Sequence, residues 1–357
     1  MKNNYRILGL MSGTSLDGLD LAICSFTKTG NTWEYNMETC KTVSYTPERK
    51  KELQDAIFAD AVHLLDLHHQ YGIWLGNEAN QFLSETGIAI DAIASHGHTI
   101  HHQPQNGFTF QLGDGQTLAI TTKKVVISDF RSKDIALGGQ GAPLIPIGDE
   151  HLFNDYTYCL NLGGISNISF SKNGTRLAYD IGIANMALNH ITQQMGIPYD
   201  DEGKQAATGS LNEELYAALN ALPYYTHQPP KSTGYEWFTA EIEPLLDQCN
   251  DTYANKLHTI VHHIAKTISD EIHQKTVPNS TCLVTGGGAL NLFLLQTLQQ
   301  KLRNQCTLHV PSKELIDFKE ALIFAFMGVL RLNTETNVLH SVTGARQDSC
   351  SGMIYHP

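Results

Sequence analysis

The sequence predicts an α/β protein of two lobes that share a repeated strand–turn–strand unit. Three observations carry that prediction. At 357 residues the chain exceeds one comfortable core, which makes two domains the expectation. Two glycine-bent hairpins, LGLMSGTSLDGLDLA (8–22) and YTYCLNLGGISNISFS (156–171), have the same shape and suggest an internal duplication. Short apolar strands alternate with helical periodicities along the rest of the chain.

Taken in order, 5–11 and 19–26 read as strands around the first turn, the second alternating Leu19, Leu21 and Ile23. Helices follow over 47–58, where Pro47 suits a first-turn position, and over 61–83. DAIASHG (91–97) reads as a buried strand ending on Gly97, and GFTFQLGDGQTLA (107–119) as a strand running into a Gly-Asp turn. VVISDF (125–130) is a strand entering a glycine-rich loop over 136–146. Beyond the second hairpin, helices are predicted over 183–195, 211–222, 251–274 and 319–332. TCLVTGGGALNLFLLQTL reads as a strand, a triple-glycine turn and a helix. Glycine and proline concentrate near 128–150, so the lobes are placed at 1–128 plus 334–357 and at 129–333.

Composition narrows the function. A net charge of −12 argues against a nucleic-acid partner, whose phosphate backbone needs a basic surface. The longest apolar run, 321–330, is about half of the ~20 residues that span a bilayer, so no membrane partner is expected. The seven cysteines are scattered and never spaced as CxxC, which points to a reducing compartment, and a cytoplasmic protein is the expectation.

The first hairpin turn is the richest segment. Ser12, Thr14 and Ser15 offer hydroxyls around Gly13, the composition of a phosphate nest. Asp17 and Asp20 are oxygen donors suited to a hydrated Mg²⁺ beside phosphates. The same residues also make an ordinary hairpin turn. No GxxxxGK[ST] exists in the chain, so a Walker loop is excluded. SHGHTIHHQ (95–103) holds four histidines at spacings that match no common metal site, and imidazoles contacting substrate fit better than ligands. TGGGALN (285–291) would let a flat adenine or ribose approach the backbone, or it is simply a tight strand–helix turn. AYDIGIAN (178–185) places Asp180 between strand and helix, as a general base or as an N-cap. YDDEGK (199–204) reads as capping and solvated charge.

The order of these signals is more specific than any one of them. With GLMSGTSLDGLD (9–20), SHGHTIHHQP (95–104), DFRSKDIALGGQGAPL (129–144), NLGGISNIS (161–169), PPKSTGYEWF (229–238), TGGGALN (285–291) and SVTGA (341–345), the chain closely resembles the anhydro-N-acetylmuramic acid kinases. These belong to the acetate and sugar kinase, heat-shock cognate and actin superfamily. The resemblance implies an actin-like ATPase (ribonuclease H-like) fold, with duplicated mixed-sheet domains and an interdomain cleft. It implies that Gly13, Thr14, Ser15, Leu16, Asp17, Gly18, Leu19 and Asp20 bind ATP phosphates, with Gly163 and Gly164 as the second phosphate loop. Gly286, Gly287 and Gly288 would sit by the adenosine, and Asp180 matches the family's catalytic aspartate. His98, Arg131, Gln140, Asn185 and Glu320 look like substrate-side positions, and Asp17 and Asp20 would reach Mg²⁺ through water.

The implied reaction uses ATP and water to open 1,6-anhydro-N-acetylmuramic acid and phosphorylate O6. It yields N-acetylmuramic acid 6-phosphate in cell-wall recycling, and the family suggests a homodimer. One departure stands out: the family commonly reads Asp-Thr-Gly-Pro-Gly-Asn where this chain has Asp180-Ile181-Gly182-Ile183-Ala184-Asn185. The alternatives are another hexosamine kinase, sharing every ATP element, and a non-catalytic ATP-dependent switch, against which Asp180 speaks.

Overall fold

The computed structural model describes residues 2–13, 16–275 and 277–357. Thr14 and Ser15, both assigned to phosphate binding above, lie outside the described residues.

Two compact units are present, 1–152 with 318–357 and 153–317. In the first, strands β1 (Asn4–Ser12), β2 (Gly18–Thr29), β3 (Thr32–Ser44), β4 (Ala92–Gln103), β5 (Phe108–Leu112), β6 (Val125–Ser128) and, from the C-terminal end, β12 (Met353–Tyr355) form one sheet. Its order is β12-β6-β4-β1-β2-β3, with β5 paired to β4. The second unit holds β7 (Tyr158–Leu162), β8 (Ile165–Lys172), β9 (Thr175–Ile183), β10 (Ser280–Thr285) and β11 (Cys306–His309), in the order β11-β10-β7-β8-β9.

The duplication is explicit in these sheets. β1–β2–β3 and β7–β8–β9 are antiparallel meanders, and in each unit the first strand continues into two parallel neighbours, β4 and β6 or β10 and β11. Parallel neighbours need crossover connections, which the intervening helices supply. This repeated five-strand order is that of the ribonuclease H-like, actin-like ATPase fold.

Each unit has its own core. In the first, Leu8, Leu10, Leu21, Ile23 and Ile93 pack against Tyr71, Leu75 and Phe82 of the helix Ala61–Thr86. That helix starts at the Asp60 side-chain cap and stops at Gly87, which takes the left-handed φ of 66°. In the second, the helix Tyr253–His273 presents Leu257, Ile260, Ile264 and Ile268 to the strands.

The unit boundaries fall at 152/153 and 317/318, not at 128 and 333 as the sequence reading placed them. The helix Lys313–Leu332 begins earlier than the expected 319, and its later part belongs to the first unit. Ala321 lies against β1 so closely that a Cβ on Gly9 would meet its carbonyl oxygen at 2.1 Å. The C-terminal segment returns to the first unit, where β12 pairs antiparallel with β6.

Gly97 does not end the fourth strand. It adopts φ 74°, where a Cβ would meet Leu112 O at 2.4 Å, and β4 runs on to Gln103 beside β5. The close approach at Gly9 yields the first prediction: Gly9→Ala lowers unfolding stability by about 1–3 kcal/mol through overpacking, read as the denaturant midpoint.

Candidate active site

The second unit gathers one set of the expected residues. Asp180 lies within β9 rather than at its end. The β8–β9 register shifts beside it, from Ser166↔Gly182 to Asn167↔Asp180, so Ile181 is the extra residue of a bulge. The segment 231–233 closes over this edge strand: Asp180 N–H donates to Lys231 O (3.2 Å), and Asp180 Oδ2 accepts from Ser232 Oγ and Thr233 N–H, both at 3.0 Å. Tyr224 OH donates to the Asp180 carbonyl at 2.9 Å.

Burial pushes the Asp180 carboxyl above its ordinary value, and the Thr233 and Ser232 bonds offset part of that rise. The result is a half-buried carboxylate of increased basicity with both clasping donors on Oδ2, so neither occupies Oδ1. An N-cap role is ruled out, because the cap of the following helix Asn185–Gln194 is Ala184. Ile181 and Ile183 are buried in the core with Ala184, so position 181 offers its hydrophobic surface inward and no polar contact.

Hairpin 2 and the triple-glycine turn meet at the start of that helix. Asn185 Nδ2 donates to Leu162 O at 2.9 Å, and the backbone N–H groups of Ala184 and Asn185 donate to Gly164 O and Gly163 O. A Cβ on Gly286 or Gly288 would collide with the end of β7, at 2.6 Å from Asn161 Oδ1 and 2.7 Å from Leu162 Cβ respectively. Packing therefore demands those two glycines. It does not demand Gly287 or Gly164, whose Cβ atoms would meet nothing nearer than 3.7 and 3.4 Å. A glycine that packing does not require is what a backbone approached closely by a flat ring or a phosphate would show.

The first unit gathers the others. Ser12, at the end of β1, is buried; its Oγ accepts from Tyr45 OH (2.7 Å) and bonds His98 Nδ1 (2.8 Å), while Tyr45 OH also bonds Tyr71 OH. This corrects the reading of Ser12 as a phosphate hydroxyl, since its Oγ is buried and already engaged by Tyr45 and His98. His98 is buried too, which lowers its pKa to about 4 and keeps it neutral. Leu16 takes the left-handed φ of 60°, and its N–H reaches Gly13 O at 3.3 Å. Gly18 has a packing reason, since a Cβ there would meet Val43 O at 2.5 Å.

Asp20 accepts from Thr42 Oγ1 at 2.6 Å, and Asp17 is exposed. Arg131 donates from Nε to His96 Nε2 (2.9 Å) and from Nη1 to Gly141 O (2.6 Å). His96 Nδ1 lies 2.9 Å from Gly97 O, so the ring is neutral with that proton on Nδ1; burial and the Arg131 charge hold its pKa well below the usual range. Burial brings Arg131 down to about 10, still cationic, against the opposing pull of Glu320. The Glu320 carboxyl is raised by the protein around it and by Asp20, and lowered by Arg131 and Lys319, although the residue keeps solvent access. Asp20, Arg131 and Glu320 thus share one electrostatic neighbourhood. Oxygen donors held under mutual repulsion suit a hard divalent cation.

Gln140 is exposed, with its N–H on Thr343 O (2.8 Å). Its loop is pinned by Asp134, fully buried, whose carboxylate accepts from Gly141 N–H (2.8 Å) and Thr343 Oγ1 (2.7 Å). That carboxylate explains why the 129–144 and 341–345 segments belong together. Among the described residues, the histidines of 95–103 form no group close enough to share an ion.

A family model for anhydro-N-acetylmuramic acid kinase matches residues 5–357. The chain belongs to this family. The enzyme of that name from Aliivibrio fischeri is 36% identical over 370 residues, covering 98% of this chain and 99% of the relative. Those from Xylella fastidiosa and Sulfurimonas denitrificans are 35% and 32% identical, the former covering 98% of this chain and 96% of its own, the latter 98% of each. A solved ROK hexokinase from Thermus thermophilus is 13% identical with a TM-score of 0.42, covering 91% of this chain and 99% of its own; the fold rests on the strand order instead. As a member of the anhydro-N-acetylmuramic acid kinase family, the chain is a phosphotransferase with an alcohol acceptor. No helix among the described residues is long and apolar enough to cross a membrane.

Sequence reasoning missed Ser232, Thr233 and Tyr224 as site-builders. For Ser232 and Thr233 the available signal was PPKSTGYEWF (229–238), which carries the resemblance but assigns no residue; Tyr224 has no such signal. The His98 environment yields a prediction with a definite sign. A histidine kept neutral in the fold favours the native state above the unfolded pKa of 6.5, and that stability is lost as pH falls toward about 4. His98→Gln therefore flattens the fall in melting temperature between those limits, measured against the unaltered protein.

Proposed function

We propose that this kinase opens 1,6-anhydro-N-acetylmuramic acid with water and transfers the ATP γ-phosphoryl group to O6, in cytoplasmic recycling of cell-wall sugar. The observation that carries the proposal is the clasped, half-buried Asp180 carboxylate, with one oxygen held and its basicity raised. Asp180 takes a proton from a water molecule whose oxygen bonds C1. The C1–O6 bond breaks, the electron pair stays on O6, and O6 attacks the γ-phosphorus as ADP leaves. General base catalysis contributes about 10²–10⁴-fold, and alignment of O6 with the phosphoryl group supplies much of the remainder.

In the same reading, the turn 13–20 and Gly163–Gly164 take the phosphates, and Gly287, whose Cβ position meets nothing nearer than 3.7 Å, lies by the adenosine between Gly286 and Gly288. Arg131, half-buried and cationic, takes the sugar side with Gln140 and Glu320, whereas His98 and Asn185, whose side chains bond Ser12 and Leu162 O, act through the hairpin turns they tie down. Mg²⁺ would be held through water by Asp20 and Asp17, and when bound it supplies neutralisation of phosphate charge.

Asp180→Asn should retain ATP and sugar binding by calorimetry while kcat falls about 10²–10⁴-fold. Near-normal kcat would remove the base assignment. Ser232→Ala deletes a bond that favours the ionised carboxylate, so the acid limb of the kcat profile should move to higher pH. ADP release with the anhydro-sugar but not with free N-acetylmuramic acid separates this enzyme from another hexosamine kinase.

A further inference from the structure

Below the Asp180 clasp lies an ionic cluster that the reaction itself does not use. Lys231 Nζ pairs with Glu271 Oε1 at 3.2 Å, and the two side chains are only 4% and 11% exposed. Glu271 Oε2 accepts from Tyr179 OH (2.9 Å) and pairs with Lys275 Nζ (3.2 Å); Lys275 Nζ also donates to Tyr179 OH (2.7 Å). Burial alone would raise the Glu271 carboxyl, but Lys275, Lys231 and Tyr179 hold it below the usual range, so it stays ionised. Lys231 Nζ lies 5.1 Å from the centre of the Tyr224 ring, whose hydroxyl holds the Asp180 carbonyl.

Burying charge without a partner is costly, and such a pair is weak evidence for stability alone. Its position is the informative fact. Lys231 is the residue whose carbonyl takes the Asp180 N–H, and the next two residues are the donors to Asp180 Oδ2. Glu271 sits on the long helix Tyr253–His273, which is packed through the core of the unit. The side chain of Lys231 therefore ties an otherwise irregular segment to a rigid element, immediately beside the clasp. A second tether reaches the same bulge: His263 on that helix bonds Tyr225 OH at 2.8 Å, and the Tyr225 ring fills the space that a Cβ on Gly182 would occupy.

We infer that Lys231, through its buried pair with Glu271, is a positioning residue that sets the pose of Ser232 and Thr233 on Asp180. The inference rests on the reading of Asp180 as the base. The ion pair is the anchor, the 231–233 backbone is the lever, and the orientation of the free Asp180 oxygen is the output. Lys275 shares the same carboxylate but touches Tyr179 and Glu271, not the clasp.

The test is a kcat, KM and pH-profile comparison of the full chain carrying Lys231→Met, Lys275→Met or Asp180→Asn, assayed for ADP release with the anhydro-sugar and ATP. Lys231→Met should lower kcat on the order of 10²-fold, the scale of a reactive group misplaced by about an ångström. Both KM values should hold, and the acid limb should move to higher pH as the clasp loosens. Lys275→Met should lower the melting temperature and leave the acid limb where it is in the unaltered protein. A folded Lys231→Met with an unaltered profile overturns the inference, as do Lys231→Met and Lys275→Met profiles that coincide. If Lys231→Met does not fold, Lys231→Gln, which removes the charge and shortens the reach toward Glu271 while leaving a polar group in the buried site, is read against the same two outcomes. Asp180→Asn separates the claims: an active variant defeats the base reading, whereas an inactive one beside an unaltered Lys231→Met defeats only the positioning role.

Discussion

Two hydrogen bonds to a single oxygen, from Ser232 and Thr233 to Asp180 Oδ2, are the constraint on which the proposed chemistry of the second unit depends. Burial alone would make the carboxylate a strong base that is rarely ionised, and full solvation would make it ionised but weak. The clasp sets a middle course: burial raises the proton affinity, and two donors limit the rise. It also breaks the symmetry of the carboxylate, because both donors choose the same oxygen. The bulge at Ile181 turns Asp180 toward this segment, and the Tyr224 hydroxyl fixes its backbone from the other side.

The two units began as one strand plan and now use it differently. In the first, the hairpin ends on a buried Ser12 secured by Tyr45 and His98, and the charged groups Asp20, Arg131 and Glu320 act on one another nearby. In the second, the hairpin is sewn to a helix start by Asn185, and the triple-glycine turn packs against the end of β7. Glycine alone does not mark a ligand site. Gly18, Gly286 and Gly288 are required by neighbouring backbone or side chains, whereas a Cβ on Gly164 or Gly287 would make only ordinary contacts, at 3.4 and 3.7 Å. That contrast separates glycines that packing requires from glycines that packing leaves unexplained.

Long periodic elements were legible from the sequence. The predicted helices 61–83 and 251–274 are close to Ala61–Thr86 and Tyr253–His273, because their apolar positions recur on one face and capping residues bound them. β3 was not legible: TWEYNMETCKTVS is an edge strand, half-buried along much of its length, and mixed polarity hides its period. The unit boundary escaped because the contact that assigns the last long helix, Ala321 against Gly9, spans most of the chain. At the site, Asp180 could be named from its neighbours in sequence, but its donors come from 52 and 53 residues downstream. Ser12 read as a surface hydroxyl because nothing local announces that Tyr45 and His98 enclose it.

A carboxylate that is half-buried and clasped on one oxygen has a direct signature in its own titration. The decisive measurement is the ¹³C chemical shift of the Asp180 carboxyl in labelled protein, followed across acid pH. The account predicts a midpoint above the ordinary aspartate value of 3.8, coinciding with the acid limb of kcat. A midpoint at or below 3.8, or one unrelated to that limb, would contradict it.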